Sequence, residues 1–434
     1  MNSPANKDYK RFYIKTLGCK VNQYETQAMR EILLKAGFRE CLSPDIADIF
    51  IINTCTVTGE ADKESRRLIS FFHKVNPKAK IVVTGCYVER DAEDITFLPG
   101  VAHLIKNADK AKIASILDGG TEGSEISSGS ILSVSDFKDH TKAFVKIQDG
   151  CENFCAYCKV PLVRGPIRSK PVMNVLEEVS NLVANGFKEI VLTGICLGSW
   201  GKDLSGPGSS GLVDVLKEFD RVRGDFRIRL SSIEPTYITD ELIEFMSGSS
   251  MMCRHLHIPL QSGDDNILRK MNRPYTSQEY MTIVNKAKEK IKDVAITTDV
   301  LIGFPGESDL NFRNTIKVVK HTVPLKTHIF TYSRRKGTAA YSMEDLSPQN
   351  VLKKRYSELN TVALGSSYLY RSSFLNKELD VLVETKRDRT TGLLKGYSDN
   401  YIKMLFSGPD KLMRDVVPVK VDYINLMYTF GALG

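Results

Sequence analysis

The sequence predicts an α/β protein in three parts: an N-terminal parallel-sheet α/β domain, an open (β/α)6 partial barrel, and a small C-terminal β-barrel. Three observations predict it. Apolar, β-branched runs alternate with helix-like stretches through the first 118 residues, as parallel βαβ units require. After a Gly/Ser-rich break the same alternation resumes on a larger scale with six strand candidates. From about Ser372 the texture changes to short alternating strands separated by turn residues.

Taken in order, residues 1–118 hold the strands "RFYIKTLGC", "ADIFIINTC" and "AKIVVTGC", with "QYETQAMREILLKAGF" and "DKESRRLISFFHKV" as intervening helices. The stretch "DGGTEGSEISSGSILSVSD" is poor in large apolar residues and reads as a linker at 119–136. Residues 137–371 supply "KAFVKIQDGC", "KEIVLTGI", "FRIRLSSIEP", "RHLHIPLQSG", "VAITTDVLIGFPG" and "KTHIFTYSRR". Most of these run from apolar residues into polar or glycine-rich ones at the C-terminal end, where α/β barrels place their chemistry. Six strands rather than eight imply an open barrel. Residues 372–434 contain "LDVLVETK", "TGLLKGYSDNYIKMLF" and "VVPVKVDYINLMY", with a hairpin break at "SDN".

Lys plus Arg outnumber Asp plus Glu by 60 to 52, a formal charge of +8 over 434 residues. This excess permits a polyanionic partner without demanding one. The start, "MNSPANKDYKRFYIKTLGC", has no apolar core of signal-peptide length, and no window approaches about 18 apolar residues in a row. The expectation is a soluble, cytoplasmic protein with no membrane partner. In a reducing compartment its nine cysteines point to metal or catalysis rather than to disulfides.

Three cysteines, Cys151, Cys155 and Cys158, crowd into "DGCENFCAYCKVPLVRG" with the spacing C-x3-C-x2-C, directly after a barrel strand. Thiolates so close reach one metal centre, and soft sulfur favours zinc or iron–sulfur. A structural zinc wants a fourth protein ligand. His255 and His257 are available, although "HLHIPL" reads more simply as a strand with both histidines on one face. A cubane cluster needs only three cysteines, leaving its fourth iron open to a small molecule. Cys19, Cys55 and Cys86 are far apart in sequence, yet each ends a predicted strand, so a doubly wound sheet gathers them on one edge. They form a second candidate metal site. Cys41, Cys196 and Cys253 read as structural, with Cys196 in "TGICLGSWG" near the barrel's working end.

The pattern C-x3-C-x-[aromatic]-C, with Tyr157 before the last cysteine, resembles the signature of radical S-adenosylmethionine (SAM) enzymes. The resemblance implies that SAM chelates the open iron through its amino and carboxylate groups and is cleaved to a 5′-deoxyadenosyl radical. It also implies cofactor contacts at strand ends: Thr193 and Gly194 in "LTG", Ser232 and Glu234 in "SSIEP", Gln261 in "PLQSG", Asp299 and Ile302 in "DVLIGFPGE", and Tyr332.

Together, "KTLGCKVNQYET", "NTCTV", "TGCYVER", "GCENFCAYCKVPLVRG", "RLSSIEP", "HIPLQSGDDNILRKMNRPYT", "TDVLIGFPGE" and "YSRRKGTAA" resemble the methylthiotransferase family over nearly the whole chain. That likeness implies two [4Fe-4S] clusters, one on Cys151, Cys155 and Cys158 and an auxiliary one on Cys19, Cys55 and Cys86. It implies SAM as both methyl donor and radical source, a low-potential electron donor, a sulfur donor, and a C-terminal TRAM barrel that grips RNA. Of the known branches, "KTLGCKVNQYET" is most similar to the one acting on threonylcarbamoyladenosine at position 37 of tRNA, in the anticodon stem-loop. The others act on isopentenyladenosine in tRNA and on an aspartate of a ribosomal protein. A reading from a different class is a non-catalytic, zinc-stabilised RNA-binding protein. Candidate phosphate contacts are Arg164 and Arg168 after the cysteine loop, Arg334, Arg335 and Lys336 after a late strand, and Lys386 and Arg387 in "TKRDRTTG". Tyr397 and Tyr401 either stack on bases or pack internally.

Overall fold

In a computed structural model of the chain, residues 10–119, 131–137, 140–204 and 211–434 are described. The linker expected at 119–136 lies mostly outside them, as does the amino-terminal stretch 1–9. The chain divides into two compact units. One comprises Met1–Val134 with Lys159–Gly165, and the other Ser135–Cys158 with Pro166–Gly434. No helix among the described residues is long and apolar enough to cross a membrane.

The first unit is a five-stranded, wholly parallel sheet in the order Arg39–Glu40, Arg11–Thr16, Ile49–Thr54, Lys80–Gly85, Val101–Ile105. Ile49–Thr54 is buried at every position, as a central parallel strand covered on both faces must be. Side-chain alternation divides its residues between two cores. Ile49 and Ile51 join Phe12, Ile14, Val82, Met29 and Leu33 on one face. Phe50 and Ile52 join Ile81, Val83, Ile69 and Phe72 on the other. Helix Gly59–Val75 begins where the Thr58 side chain accepts from the Ala61 N–H, a standard N-cap.

Gly85 has φ +97, and a Cβ there would lie 2.3 Å from the Thr54 carbonyl oxygen. Only glycine fits both the conformation and the space, and the turn it makes delivers Cys86 as the first residue of helix Cys86–Arg90.

In the second unit Ala143–Lys146, Glu189–Thr193 and Arg227–Leu230 form one parallel sheet, and His255–His257, Ala295–Ile302 and Lys326–Thr331 another. Parallel bridges Ile228–Met252 and Ser232–His257 join them. The six strands expected from the sequence thus stand side by side in chain order. No pairing joins the first to the last among the described residues, which leaves the barrel open.

Helix Gln349–Ser372 leads into a closed barrel of Glu378–Val383, Leu394–Ser398, Lys403–Phe406, Thr429–Leu433 and Val416–Ile424. The last strand was not anticipated. "VVPVKVDYINLMY" reads as one continuous run, but the Asn425 side chain accepts from the Met427 and Tyr428 N–H groups and turns the chain. Thr429–Leu433 then pairs parallel to Lys403–Phe406 and closes the barrel.

A buried carboxylate organises the base of this unit. Glu189 meets Lys142 at 3.0 Å and Arg227 and Arg229 at 2.7 Å each. The two arginines also donate to the Asp380, Tyr397, Ser398 and Asp399 carbonyls of the small barrel. Burial would raise the Glu189 pKa, but Arg229, Lys142 and Arg227 together hold it well below the usual carboxylate range. Because the folded-state pKa is depressed, its stabilisation is complete above the unfolded value and is lost as pH falls toward the folded one. Glu189→Ala leaves three cations facing one another and is expected to destabilise the unit by about 3–5 kcal/mol in chemical denaturation at pH 7. Acidification should shrink the difference from the unsubstituted protein. Gly85→Ala is expected to cost about 2 kcal/mol or more, read as a lower melting temperature.

Candidate functional site

The sheet edge of the first unit gathers three thiols. Cys19 caps the N-terminus of helix Lys20–Lys35, Cys55 follows strand Ile49–Thr54, and Cys86 follows Lys80–Gly85. Gly18 approaches so closely that a Cβ there would lie 2.8 Å from the Cys55 sulfur. Burial pushes the Cys55 thiol up to about 12, and Cys86 and Cys19 add to the effect. Burial raises Cys86 as well, opposed by Arg164 and Lys110.

Around these thiols lies a buried polar network. Arg164 Nε donates to the Cys86 sulfur at 3.2 Å, Nη1 to Glu25 at 2.5 Å and Nη2 to Asn22 Oδ1 at 2.7 Å. Lys110 pairs with Glu25 and reaches Asn53 Oδ1 at 3.2 Å. Asn22 in turn donates to the Leu17 and Thr54 carbonyls, each at 2.8 Å, tying together the loops that carry Cys19 and Cys55. The two cations, Arg164 and Lys110, oppose the burial that raises the Cys86 thiol, while Glu25 adds to it. Arg164, expected at RNA phosphate, is instead only 2 % exposed and serves this network. Its partners lie 139 and 142 residues away in sequence, beyond the reach of local pattern.

In the second unit Cys151, Cys155 and Cys158 occupy the loop after Gln148–Asp149, all half-buried. Backbone bonds clamp the loop, from Ala156 N–H to the Met271 carbonyl (2.9 Å) and from Ala340 N–H to the Ala156 carbonyl (2.7 Å). Asn272 Nδ2 holds the Phe154 carbonyl at 3.1 Å. Arg273 Nη1 donates to the Cys155 sulfur at 3.1 Å, while the same guanidinium pairs with Glu234 and its Nε reaches the Tyr275 oxygen at 3.0 Å. Buried Gln148 accepts from the Cys196 N–H at 2.8 Å and donates to the Gly150 carbonyl at 2.8 Å, linking "LTGIC" to the cysteine loop. Sequence reasoning missed Arg273 and Gln148, since neither stands in a metal-ligand pattern. Cys196, read as structural, is buried and hydrogen-bonds to Cys151, which raises the Cys151 pKa.

The strand-end residues are distributed as follows. Tyr157 is half-buried, desolvation pushes its hydroxyl pKa well up, and it sits edge-on to Phe304 at 6.4 Å. Tyr332 packs against the same ring at 5.6 Å and donates to the Ala340 carbonyl. Thr193 accepts from Ile147 N–H, and Gly194 lies against Gln148. Ser232 is exposed beside its bridge to His257. Gln261, at φ +62, exchanges backbone bonds with Asp299 and Leu301. The Ile302 side chain is fully buried and its carbonyl accepts from Tyr332 N–H. His255 and His257 bond to Thr297 Oγ1 at 2.9 Å each and supply no fourth ligand to the cysteines.

Among the basic residues, Arg335 is buried at 6 % exposure, contrary to a phosphate-binding role. Arg387 is spent on Asp410 and the Gly392 and Gly408 carbonyls. Arg334 is exposed but bonds the Met343 carbonyl, and Arg168, Lys336 and Lys386 are exposed. Tyr401 stacks on His255 at 4.5 Å and on Tyr397 at 5.1 Å, with Lys142 4.5 Å above the Tyr397 ring. Both tyrosines therefore pack internally.

Three soft sulfurs at one strand edge, with a buried cationic donor and no fourth protein ligand among the described residues, fit a four-iron cluster better than a closed zinc site. The second triplet has the same character. A partial parallel barrel carrying C-x3-C-x2-C at the C-terminal end of its first strand defines the radical SAM class.

Comparison with known proteins narrows this. Residues 11–106 match a family described as "Uncharacterized protein family UPF0004" and residues 145–319 match the "Radical SAM superfamily". Threonylcarbamoyladenosine tRNA methylthiotransferase MtaB of Bacillus subtilis is 38% identical over 96% of this chain and 94% of its own length. The tRNA-2-methylthio-N(6)-dimethylallyladenosine synthase of Clostridium tetani is 34% identical over 94% of this chain and 93% of its own. Among solved structures, the radical SAM methyltransferase TsrM of Kitasatospora setae matches with TM-score 0.58 at 14% identity, covering 77% of each chain. The chain belongs to the radical SAM methylthiotransferase family, whose members are enzymes that use [4Fe-4S] clusters and SAM.

Anaerobic reconstitution should give about eight irons per chain, two four-iron clusters. Replacing Cys151, Cys155 and Cys158 by Ala should remove half. Arg164→Met, which leaves Glu25 without its guanidinium partner and Cys86 without its donor, should also lower the iron count toward four, with the Cys151 cluster retained by its spectrum.

Proposed function

We propose that this protein inserts a methylthio group at C2 of N6-threonylcarbamoyladenosine at position 37 of tRNA, giving 2-methylthio-N6-threonylcarbamoyladenosine. The observation that carries the reading is graded likeness over nearly the full chain: relatives named for threonylcarbamoyladenosine reach higher identity than those named for dimethylallyladenosine. An isopentenyladenosine-directed enzyme is the second reading, favoured by the latter group. Work on tRNA fits a cytoplasmic protein supplied by an external low-potential electron donor and a sulfur donor.

When bound, the two clusters and SAM supply the electron, the hydrogen-abstracting radical and the methylthio group. The chain's own residues hold and orient. Cys19, Cys55 and Cys86 would ligate the auxiliary cluster, with Arg164 steadying Cys86. Cys151, Cys155 and Cys158 would ligate the other, with Arg273 steadying Cys155. Thr193, Gly194, Ser232, Glu234, Gln261, Asp299, Ile302, Tyr157 and Tyr332 are the proposed SAM-side lining. In domain terms we assign 1–118 to the auxiliary cluster, 137–371 to the radical core and 372–434 to a TRAM-type RNA-binding barrel. Exposed Arg168, Arg334, Lys336 and Lys386 remain suited to phosphate.

Nucleoside mass spectrometry on tRNA from a host lacking its own methylthiotransferases tests the reading. Expression of this chain should produce 2-methylthio-N6-threonylcarbamoyladenosine, and Cys151→Ala should abolish it. A methylthio mark on isopentenyladenosine instead would transfer the protein to the second reading.

A further inference from the structure

The cysteine loop of the second unit carries one large side chain that the ligand spacing does not call for. Phe154, directly before Cys155, has φ +45 and is 60% exposed. A left-handed backbone suits glycine, is tolerated by asparagine, and strains a bulky residue. Asn272, which clamps the loop here, is the tolerated case at φ +57. Its Nδ2 donates to the Asn153 and Phe154 carbonyls at 3.3 and 3.1 Å. Bonds from Ala156 N–H to Met271 and from Ala340 N–H to Ala156 fix the next turn of the loop. The surroundings thus hold Phe154 in a conformation that glycine would adopt at lower cost.

Single apolar side chains on a surface are ordinary. A phenyl ring kept where the backbone favours glycine, with most of its surface in water, is not accounted for by packing. Its neighbours point to what it meets. Ala340, bonded to the cysteine loop, is followed by Tyr341, a second ring at 46% exposure. The segment that leads to it from strand Lys326–Thr331 carries exposed Arg334 and Lys336. Rings and positive charge along one rim suit a single-stranded nucleic acid, whose bases stack on aromatic faces while its phosphates meet the cations. An acidic peptide would answer the charge and leave the rings in water.

We propose that Phe154 stacks on an unpaired nucleobase beside the target adenine of the anticodon loop, so that the loop bearing Cys151, Cys155 and Cys158 also positions the RNA. The inference rests on the tRNA reading and deepens it by naming a residue that holds the substrate. Phe154 is a positioning residue, since the base it meets is not the one that reacts. Stacking on one ring is worth about tenfold or more in affinity and tolerates any base, because every base has a π-face.

The test measures binding of the anaerobically reconstituted full chain to two synthetic anticodon stem-loops, one carrying threonylcarbamoyladenosine and one isopentenyladenosine, by fluorescence anisotropy at several salt concentrations. Phe154→Gly relieves the strain, so it should keep its iron and melt no lower than the unsubstituted protein, yet bind the preferred RNA about tenfold more weakly. Phe154→Leu, which keeps apolar bulk without a π-face, should also weaken binding, and Phe154→Trp should stay within about threefold of the original. The slope of log affinity against log salt should not change, because no charge is removed. If Phe154→Gly loses its iron, the contrast between Leu and Trp decides. Gly or Leu variants that bind as tightly as the original, a Trp variant as weak as Leu, or a shallower salt slope overturns the stacking role alone. Preference for the isopentenyl RNA with the same order of variants overturns the substrate reading and supports stacking. Binding of neither RNA by the unsubstituted protein overturns both.

Discussion

Each cysteine triplet keeps one sulfur in contact with a buried guanidinium, and each guanidinium is held by a glutamate. Arg164 joins Cys86 to Glu25, and Arg273 joins Cys155 to Glu234. Burial alone would hold these thiols protonated, as the pKa of about 12 for Cys55 indicates. A thiolate ligand needs the opposite, so positive charge must be brought inside. A bare buried cation is costly, and the paired carboxylate with its amide neighbours makes it tolerable. Much of the local architecture follows. Gly18 and Gly85 bring loops within contact of Cys55 and Thr54, and Asn22 ties two cysteine-bearing loops together.

The second unit applies the same physics to a different end. Glu189 draws Lys142, Arg227 and Arg229 into the protein, and the arginines use their remaining N–H groups to hold carbonyls of the small barrel. Tyr401 stacks on His255 and lies 4.8 Å from the Arg229 guanidinium. Positive charge and aromatic rings that would suit an RNA surface are thus committed to docking one barrel on another. The mild basic excess of the chain consequently overstates the charge free to meet a polyanion.

The strands were legible because parallel sheets covered on both faces demand continuous apolar runs, and "FIINTC" and "IVVTGC" end such runs in cysteine. Cys19, Cys55 and Cys86 could be found from such strand ends, and Cys151, Cys155 and Cys158 from their close spacing. Thr429–Leu433 was hidden because the break before it is made by one side chain, Asn425, within an otherwise strand-like stretch. Arg164 and Arg335 were misread because residue type reports charge and says nothing of burial. Cys196 was read as structural, and its bond to Cys151 was out of view.

By itself the sequence determined what local spacing and periodicity can encode: a parallel-sheet α/β chain, six barrel strands, and two sets of three thiols at strand ends. These follow from backbone geometry, where every second residue shares a face and every parallel strand ends on the same edge. Only the tertiary structure decided which charges are buried, that Arg164 serves a sulfur rather than a phosphate, and that His257, Asp299 and His328 meet. Such contacts join residues from 29 positions apart, as Asp299 and His328 are, to 142 apart, as Asn22 and Arg164 are. Their energy depends on desolvation and on distances of a few ångströms, which spacing along a chain does not carry.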